Sequence, residues 1–149
     1  MVLDLAKLKR KGKTEESFFF EYFAEDLDLT LPDAELVLPI KIEGQVSLTG
    51  ERSAVLEGEA CYAISGSCTR CLSPTEKTFT VEFSELCDED ADGVYKVKND
   101  KIDLAPIIDE LITLNTPVSF LCKEDCKGIC PSCGVNLNEG DCKCIKDGK

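Results

Sequence analysis

Ten cysteines and no histidine occur in this chain of 149 residues, and eight of the ten fall in closely spaced groups. The run from Leu121 to Cys144 holds Cys122, Cys126, Cys130, Cys133, Cys142 and Cys144. It has almost no apolar periodicity, so hydrophobic burial cannot order it. In Cys130-Pro-Ser-Cys133-Gly134, two residues separate the thiols, which lets both grip one metal ion while the backbone turns tightly. The following glycine permits the backbone angles of such a turn. Cys68-Thr-Arg-Cys71 repeats the spacing upstream. A closed structural zinc site takes four ligands, and without histidine these are expected to be all cysteine, or nearly so.

The eight cysteines divide into two such sets. Cys68, Cys71, Cys122 and Cys126 are assigned to a first site that staples the tail to the body. Cys130, Cys133, Cys142 and Cys144 are assigned to a second site that folds the tail itself. Two zinc ions are therefore expected, and each would supply folding free energy on the order of 10 kcal/mol. A single zinc using Cys126, Cys130 and two others is the alternative grouping, and four thiolates accept iron as well as zinc. Cys61 and Cys87 remain as small packed side chains.

Disulfides are the competing use of cysteine. The N-terminus, MVLDLAKLKRKGK, interrupts its apolar residues with charge and lacks the continuous apolar stretch of a secretory signal. The expected compartment is the cytoplasm, where thiols stay reduced and clustered cysteines bind metal. A chain of this length can also bury a core without disulfides. No apolar run is long enough to span a membrane. A redox role for Cys68 and Cys71 is disfavoured, because that motif starts a helix in a βαβ unit and here the flanks alternate as antiparallel strands.

The rest of the chain reads as strands and one helix. SFFFEYF, residues 17–23, is expected to be a buried strand, and Pro32 and Asp33 punctuate the acidic stretch after it. Val37, Pro39, Val46 and Leu48 read as strand positions, and 50–53 as a turn. Leu56, Gly58, Ala60, Tyr62 and Ile64 share one face of the next strand, with Glu57 and Glu59 on the other. Phe79, Val81 and Phe83 repeat the alternation, which leaves 66–71 as the connecting loop. An acidic loop, 88–92, precedes a short strand predicted at 94–97. Asp103 is a helix N-cap, Pro106 sits in the first turn, and Leu104, Ile107, Ile108, Leu111 and Leu114 form the apolar stripe. The predicted class is α+β: a mostly antiparallel sheet or open barrel with one main helix, plus a zinc-ribbon-like C-terminal module. The expected division is a body of residues 1–117, with a basic N-terminal arm and the helix near 104–115, and a cysteine-rich tail of residues 118–149.

Charge limits the partners. Residues 1–117 carry 12 Lys+Arg against 24 Asp+Glu, and residues 118–149 carry 5 against 5. Two four-thiolate zinc sites, each adding −2, would take the formal charge from −12 to −16. Such a surface suits a basic partner better than a phosphate backbone. The one basic cluster is Lys7, Lys9, Arg10, Lys11 and Lys13, expected to be a solvated, partly mobile arm or a small RNA-touching patch. No histidine base and no glycine-rich phosphate loop is present, and a closed thiolate site offers no open coordination position. The chain reads as a binding or assembly protein and not an enzyme, with no small-molecule substrate.

The order strand, GSCTRCL, strand, acidic loop, Asp-Leu-x-Pro helix and then TPVSFLC followed by DCKGICPSCGVNLNEGDCKC resembles the YceD family, named for large ribosomal RNA subunit accumulation. The resemblance runs from about residue 15 to the C-terminus and is most specific at Cys68–Cys71 and at Cys126–Gly134. It implies a role in biogenesis of the bacterial large ribosomal subunit, in accumulation or processing of 23S rRNA. Two partners are then open: pre-23S rRNA, reached through the Lys7–Lys13 cluster or the neutral tail, or a basic ribosomal protein chaperoned by the acidic body without RNA contact.

Overall fold

The computed structural model describes residues 1–144; residues 145–149 of the predicted tail lie outside the described residues. The chain begins with strand β1 (Val2–Asp4) and helix α1 (Leu5–Arg10), followed by the long strands β2 (Glu15–Tyr22), β3 (Glu35–Leu48), β4 (Ser53–Ser67) and β5 (Pro74–Asp88). A single 3-10 turn (Gly93–Tyr95), strand β6 (Lys101–Asp103) and helix α2 (Leu104–Asn115) complete the body. Strands β2-β3-β4-β5 form an antiparallel meander in sequence order, and β1 pairs β6 in a small second sheet. The large sheet is open, with β2 and β5 at its edges, so of the two shapes the sequence allowed the sheet is the one present.

Period-two alternation fixes which face of the sheet is buried. Ile40, Ile42 and Val46 of β3, then Leu56, Ala60, Tyr62 and Ile64 of β4, then Phe83 and Cys87 of β5 point inward. Ile107, Ile108, Leu111 and Ile112 of α2, with Leu5 and Leu8 of α1, join the same core. A second tie crosses from sheet to helix, where the Tyr22 hydroxyl donates to the Asp109 carboxylate at 3.0 Å. One inward row, Phe18–Gly44–Gly58–Phe83, runs across all four strands. A Cβ on Gly58 would lie 2.8 Å from the Gly44 Cα and 3.0 Å from the Phe83 Cζ, so the ring occupies the space a side chain would need. The two glycines are there because the strands and rings come that close.

Helix α2 starts as predicted: Asp103 is its cap, accepting from the Ala105 N–H at 3.1 Å. Its stripe differs at one position. Ile112, four residues after Ile108, turns inward, whereas Leu114 on the last turn is 72% exposed. Three other expectations are corrected. The N-terminal basic segment is no mobile arm. Asp4 caps α1 by accepting from the Lys7 N–H at 2.9 Å, and Leu5 and Leu8, three residues apart on one helical face, are buried. The strand predicted at 94–97 is a 3-10 turn plus one bridge from Lys96 to Asp88; Val97 is buried as a loop residue, and the strand of this region is β6. The aromatic strand at 17–23 is half-buried because it lies on an edge: Phe18 is inside, Phe19 and Phe23 face outward.

Candidate metal centre

Each of the two Cys-x-x-Cys segments folds into the same knuckle. In the first, the Leu72 N–H donates to the Cys68 carbonyl at 2.9 Å and the Cys68 N–H to the Ser73 carbonyl at 2.9 Å. In the second, the Gly134 N–H donates to the Cys130 carbonyl at 2.8 Å and the Cys130 N–H to the Val135 carbonyl at 2.9 Å. The residue after the second cysteine is left-handed in both, with φ of 62° at Leu72 and 73° at Gly134. The first knuckle is the loop between β4 and β5. Phe120, 2% exposed, brings the tail back to it, accepting the Thr69 N–H at 2.7 Å.

This closure sets four sulfurs together. Cys68, Cys71, Cys122 and Cys126 form one tetrad and Cys130, Cys133, Cys142 and Cys144 another, with all Sγ atoms in each within 4.8 Å of one another. Individual separations are 3.7 Å for Cys68–Cys126 and 3.6 Å for Cys71–Cys122, against 3.4 Å for Cys133–Cys142 and 3.2 Å for Cys130–Cys142. A tetrahedron with metal–sulfur bonds near 2.3 Å has edges of about 3.8 Å. The donor set therefore fits one tetrahedral ion per tetrad. No disulfide joins any of the ten cysteines. The first tetrad is largely buried, and the second lies closer to solvent.

The electrostatics favour thiolate at one sulfur of each knuckle. Burial pushes the Cys68 thiol up, but the backbone N–H groups of Cys71, Cys122 and Arg70 outweigh it and hold the thiol at about 6. The Cys133 and Ser132 N–H groups hold Cys130 at about 6. The opposite members rise: burial and the neighbouring Cys71 sulfur push Cys122 to about 12, and the Cys142 and Cys133 sulfurs push Cys144 to about 12. Four thiolates this close repel one another, and a divalent ion held by each tetrad would offset that repulsion and favour loss of the remaining protons.

Three supporting residues carry no sequence signal. The Arg70 Nη1 donates to the Cys126 carbonyl at 3.1 Å, clasping the two halves of the first tetrad. Asn138 donates to the Cys126 Sγ at 3.4 Å, and Asn136 to the Ser73 Oγ at 3.3 Å. Their roles depend on where the tail lands, which spacing does not specify. Of the leftover cysteines, Cys87 is fully buried on β5 and Cys61 half-buried on β4. Burial pushes the Cys87 thiol to about 11.

The basic cluster is elsewhere, on α1 and the residues after it. Lys9 pairs with Asp100 at 2.8 Å and also reaches the Glu51 carbonyl, and Lys11 pairs with Glu16 at 3.1 Å. Lys7, Arg10 and Lys13 are exposed and make no ion pair among the described residues. On the outer sheet face, Glu43, Glu59 and Glu82 stand in one cross-strand row. No helix among the described residues is long and apolar enough to cross a membrane.

An antiparallel sheet that carries a cysteine knuckle on one connection, completed by a cysteine-rich tail, defines a protein with two four-thiol clusters, each able to hold a metal ion. The family profile described as "Large ribosomal RNA subunit accumulation protein YceD" matches residues 56–149, from β4 through both tetrads. The chain belongs to the YceD family. It is similar to an uncharacterized protein of Mycobacterium tuberculosis, 30% identical over 147 residues, covering 92% of this chain and 70% of that one. The Bacillus subtilis protein YlbN is 27% identical over 133 residues, or 80% of this chain and 74% of its own. A shorter match, 37% identical over 49 residues, covers 33% of this chain and 15% of the chloroplastic large ribosomal RNA subunit accumulation protein YCED homolog 1 of Arabidopsis thaliana. No solved structure matches the chain.

Proposed function

We propose that this protein is a cytoplasmic, non-catalytic factor of large ribosomal subunit biogenesis that supports accumulation or processing of 23S rRNA and holds two zinc ions. Cys68, Cys71, Cys122 and Cys126 are the ligands of one, and Cys130, Cys133, Cys142 and Cys144 of the other. The observation that carries the metal part is the gathering of eight cysteines into two four-sulfur clusters, the first with separations close to a tetrahedral edge; the ribosomal part is supported by family membership. With four protein ligands the ion has no vacancy for water or substrate, so its work is to fold residues 118–144 onto the body of residues 1–117. The test is depletion in the native host: large subunits and 23S rRNA should fall and be restored by the wild-type chain, but not by Cys71→Ser with Cys130→Ser. Normal subunit levels on depletion would contradict the ribosomal role.

A second reading concerns the partner. The glutamate row on the outer sheet face and the internal pairing of Lys9 and Lys11 favour a basic ribosomal protein over pre-23S rRNA as the molecule contacted. Replacing Lys7, Arg10 and Lys13 by Ala should leave such a complex intact, whereas Glu43→Gln with Glu82→Gln should weaken it. Binding of an rRNA fragment that is lost with Lys7, Arg10 and Lys13 would reverse the assignment.

A further inference from the structure

We infer that the two tetrads fill as a coupled pair, because Asn136 and Asn138, on the ribbon folded by the second tetrad, are positioning residues for the thiolates of the first. The inference rests on the reading that both tetrads take a metal ion. The ribbon leaves the second knuckle with the Cys130 N–H on the Val135 carbonyl, pairs Ile129 with Asn136, and closes with the Leu137 N–H on the Gly128 carbonyl at 2.9 Å. Alternation then sends Asn136 and Asn138 to the same side, toward the first tetrad. Asn138 gives its amide to the Cys126 Sγ at 3.4 Å and to the Asn136 Oδ1 at 2.8 Å, while its own Oδ1 accepts the Lys127 N–H at 2.9 Å. Asn136 donates to Ser73, which follows Cys71 directly after Leu72, and to Glu139 at 3.2 Å. Every amide hydrogen of the pair is placed.

The consequence follows from what holds the ribbon. None of the residues from Pro131 to Leu137 is buried, so the ribbon has no core of its own and its order depends on the second tetrad's sulfurs. Emptying that tetrad frees the ribbon and withdraws the donor from Cys126. Hydrogen bonds to coordinating groups set metal affinity by about 10- to 100-fold. Only Lys127, Gly128 and Ile129 separate Cys126 of one tetrad from Cys130 of the other, so neither can shift without the other. Coupling of this kind is reciprocal.

Cobalt(II) is the probe, added to the full apo chain at one equivalent and read by native mass spectrometry and by the thiolate-to-cobalt charge-transfer band. We expect apo and doubly loaded chains to dominate, with singly loaded chains well below the statistical half. Asn138→Ala should lower cobalt affinity of the first tetrad about tenfold and raise the singly loaded population. Cys133→Ser with Cys142→Ser should lower first-tetrad affinity at least as much. To separate this from misfolding, Asn138→Ala is placed in a Cys71→Ser, Cys122→Ser background, where the second tetrad should still bind cobalt. Singly loaded chains at the statistical proportion in the wild type, unchanged by Asn138→Ala, would overturn the coupling. A wild-type chain that binds no cobalt at all would instead remove the metal reading beneath it.

Discussion

Leu72 occupies the same backbone position as Gly134. Each follows the second cysteine of a knuckle, each is left-handed, and each donates its N–H to the carbonyl of the first cysteine, at 2.9 and 2.8 Å. The turn requires the conformation, and only one of the two sequences supplies the residue that adopts it freely. A branched side chain in this region costs about 1–2 kcal/mol. Leu72 is also largely exposed, so little packing repays the strain. Leu72→Gly should therefore stabilise the metal-loaded protein by a few tenths to about 1 kcal/mol, the larger unfolded-state entropy of glycine offsetting part of the gain. Gly134→Ala should do the reverse, losing about 1 kcal/mol through the backbone alone, since no atom lies within 4 Å of the added Cβ. Thermal melts of the two variants check both signs.

The glutamate row on the sheet carries a stability cost that can be measured. Glu59 stands directly opposite Glu43 on β3 and Glu82 on β5, and no ion pair offsets the three among the described residues. Like charges in register destabilise by roughly 0.2–1 kcal/mol per pair. Glu59→Gln should raise the melting temperature, and the gain should shrink as salt is added. A loss of stability in low salt would mean that the row is compensated by something else.

Gly58→Ala should be among the most damaging substitutions in the sheet. The added Cβ would meet backbone: the Glu43 carbonyl, and the Gly44 Cα at 2.8 Å. Neither neighbour can rotate away, so β3 and β4 must separate, at a cost of about 3 kcal/mol or more. Urea unfolding of Gly58→Ala should show a much lower midpoint, and Gly140→Ala, with open space around it, should serve as the control.

Cys87 and Cys61 should differ in reactivity. Cys87 lies on the buried face of β5 with its thiol pushed to about 11 by burial and, secondarily, by Glu85. In the folded, metal-loaded chain at pH 8, Cys87 should resist iodoacetamide while Cys61 reacts at the rate its half exposure allows. The sign of the pH effect follows from the raised value: the neutral thiol is favoured by folding, so its contribution is intact below about 9 and is lost as pH rises through about 11. Cys87→Ala should flatten the fall in stability across that window, read from melting temperature against pH.

Much of this architecture is visible in the residues themselves. The faces of β4 and β5 follow from strict alternation at Leu56–Ile64 and Phe79–Phe83, and the α2 cap follows from Asp103, because both are local rules. The grouping of eight cysteines into two tetrads follows from a four-ligand requirement and their order along the chain, and the structure brings those same sets together. What alternation did not reveal depends on tertiary position. The Lys7–Lys13 segment reads as solvated charge until the sheet's buried face offers Leu5 and Leu8 a place. Ile40 lies within the irregular β3–β4 pairing between Val37 and Lys41 and Ile42 just after it, where the pattern is broken. Asn136 and Asn138 are ordinary polar residues in sequence and acquire a role only when the ribbon folds against Cys126.

The most direct test is the metal content of the native chain. Protein purified without chelator, measured by native mass spectrometry together with elemental analysis, should carry two zinc ions. Chelation should release both and leave residues 118–144 unprotected against hydrogen exchange while the β3–β4–β5 core stays protected. A chain that holds no metal, with all ten thiols free and the tail equally protected before and after chelation, would contradict the assignment of the tetrads as the sites that fold it.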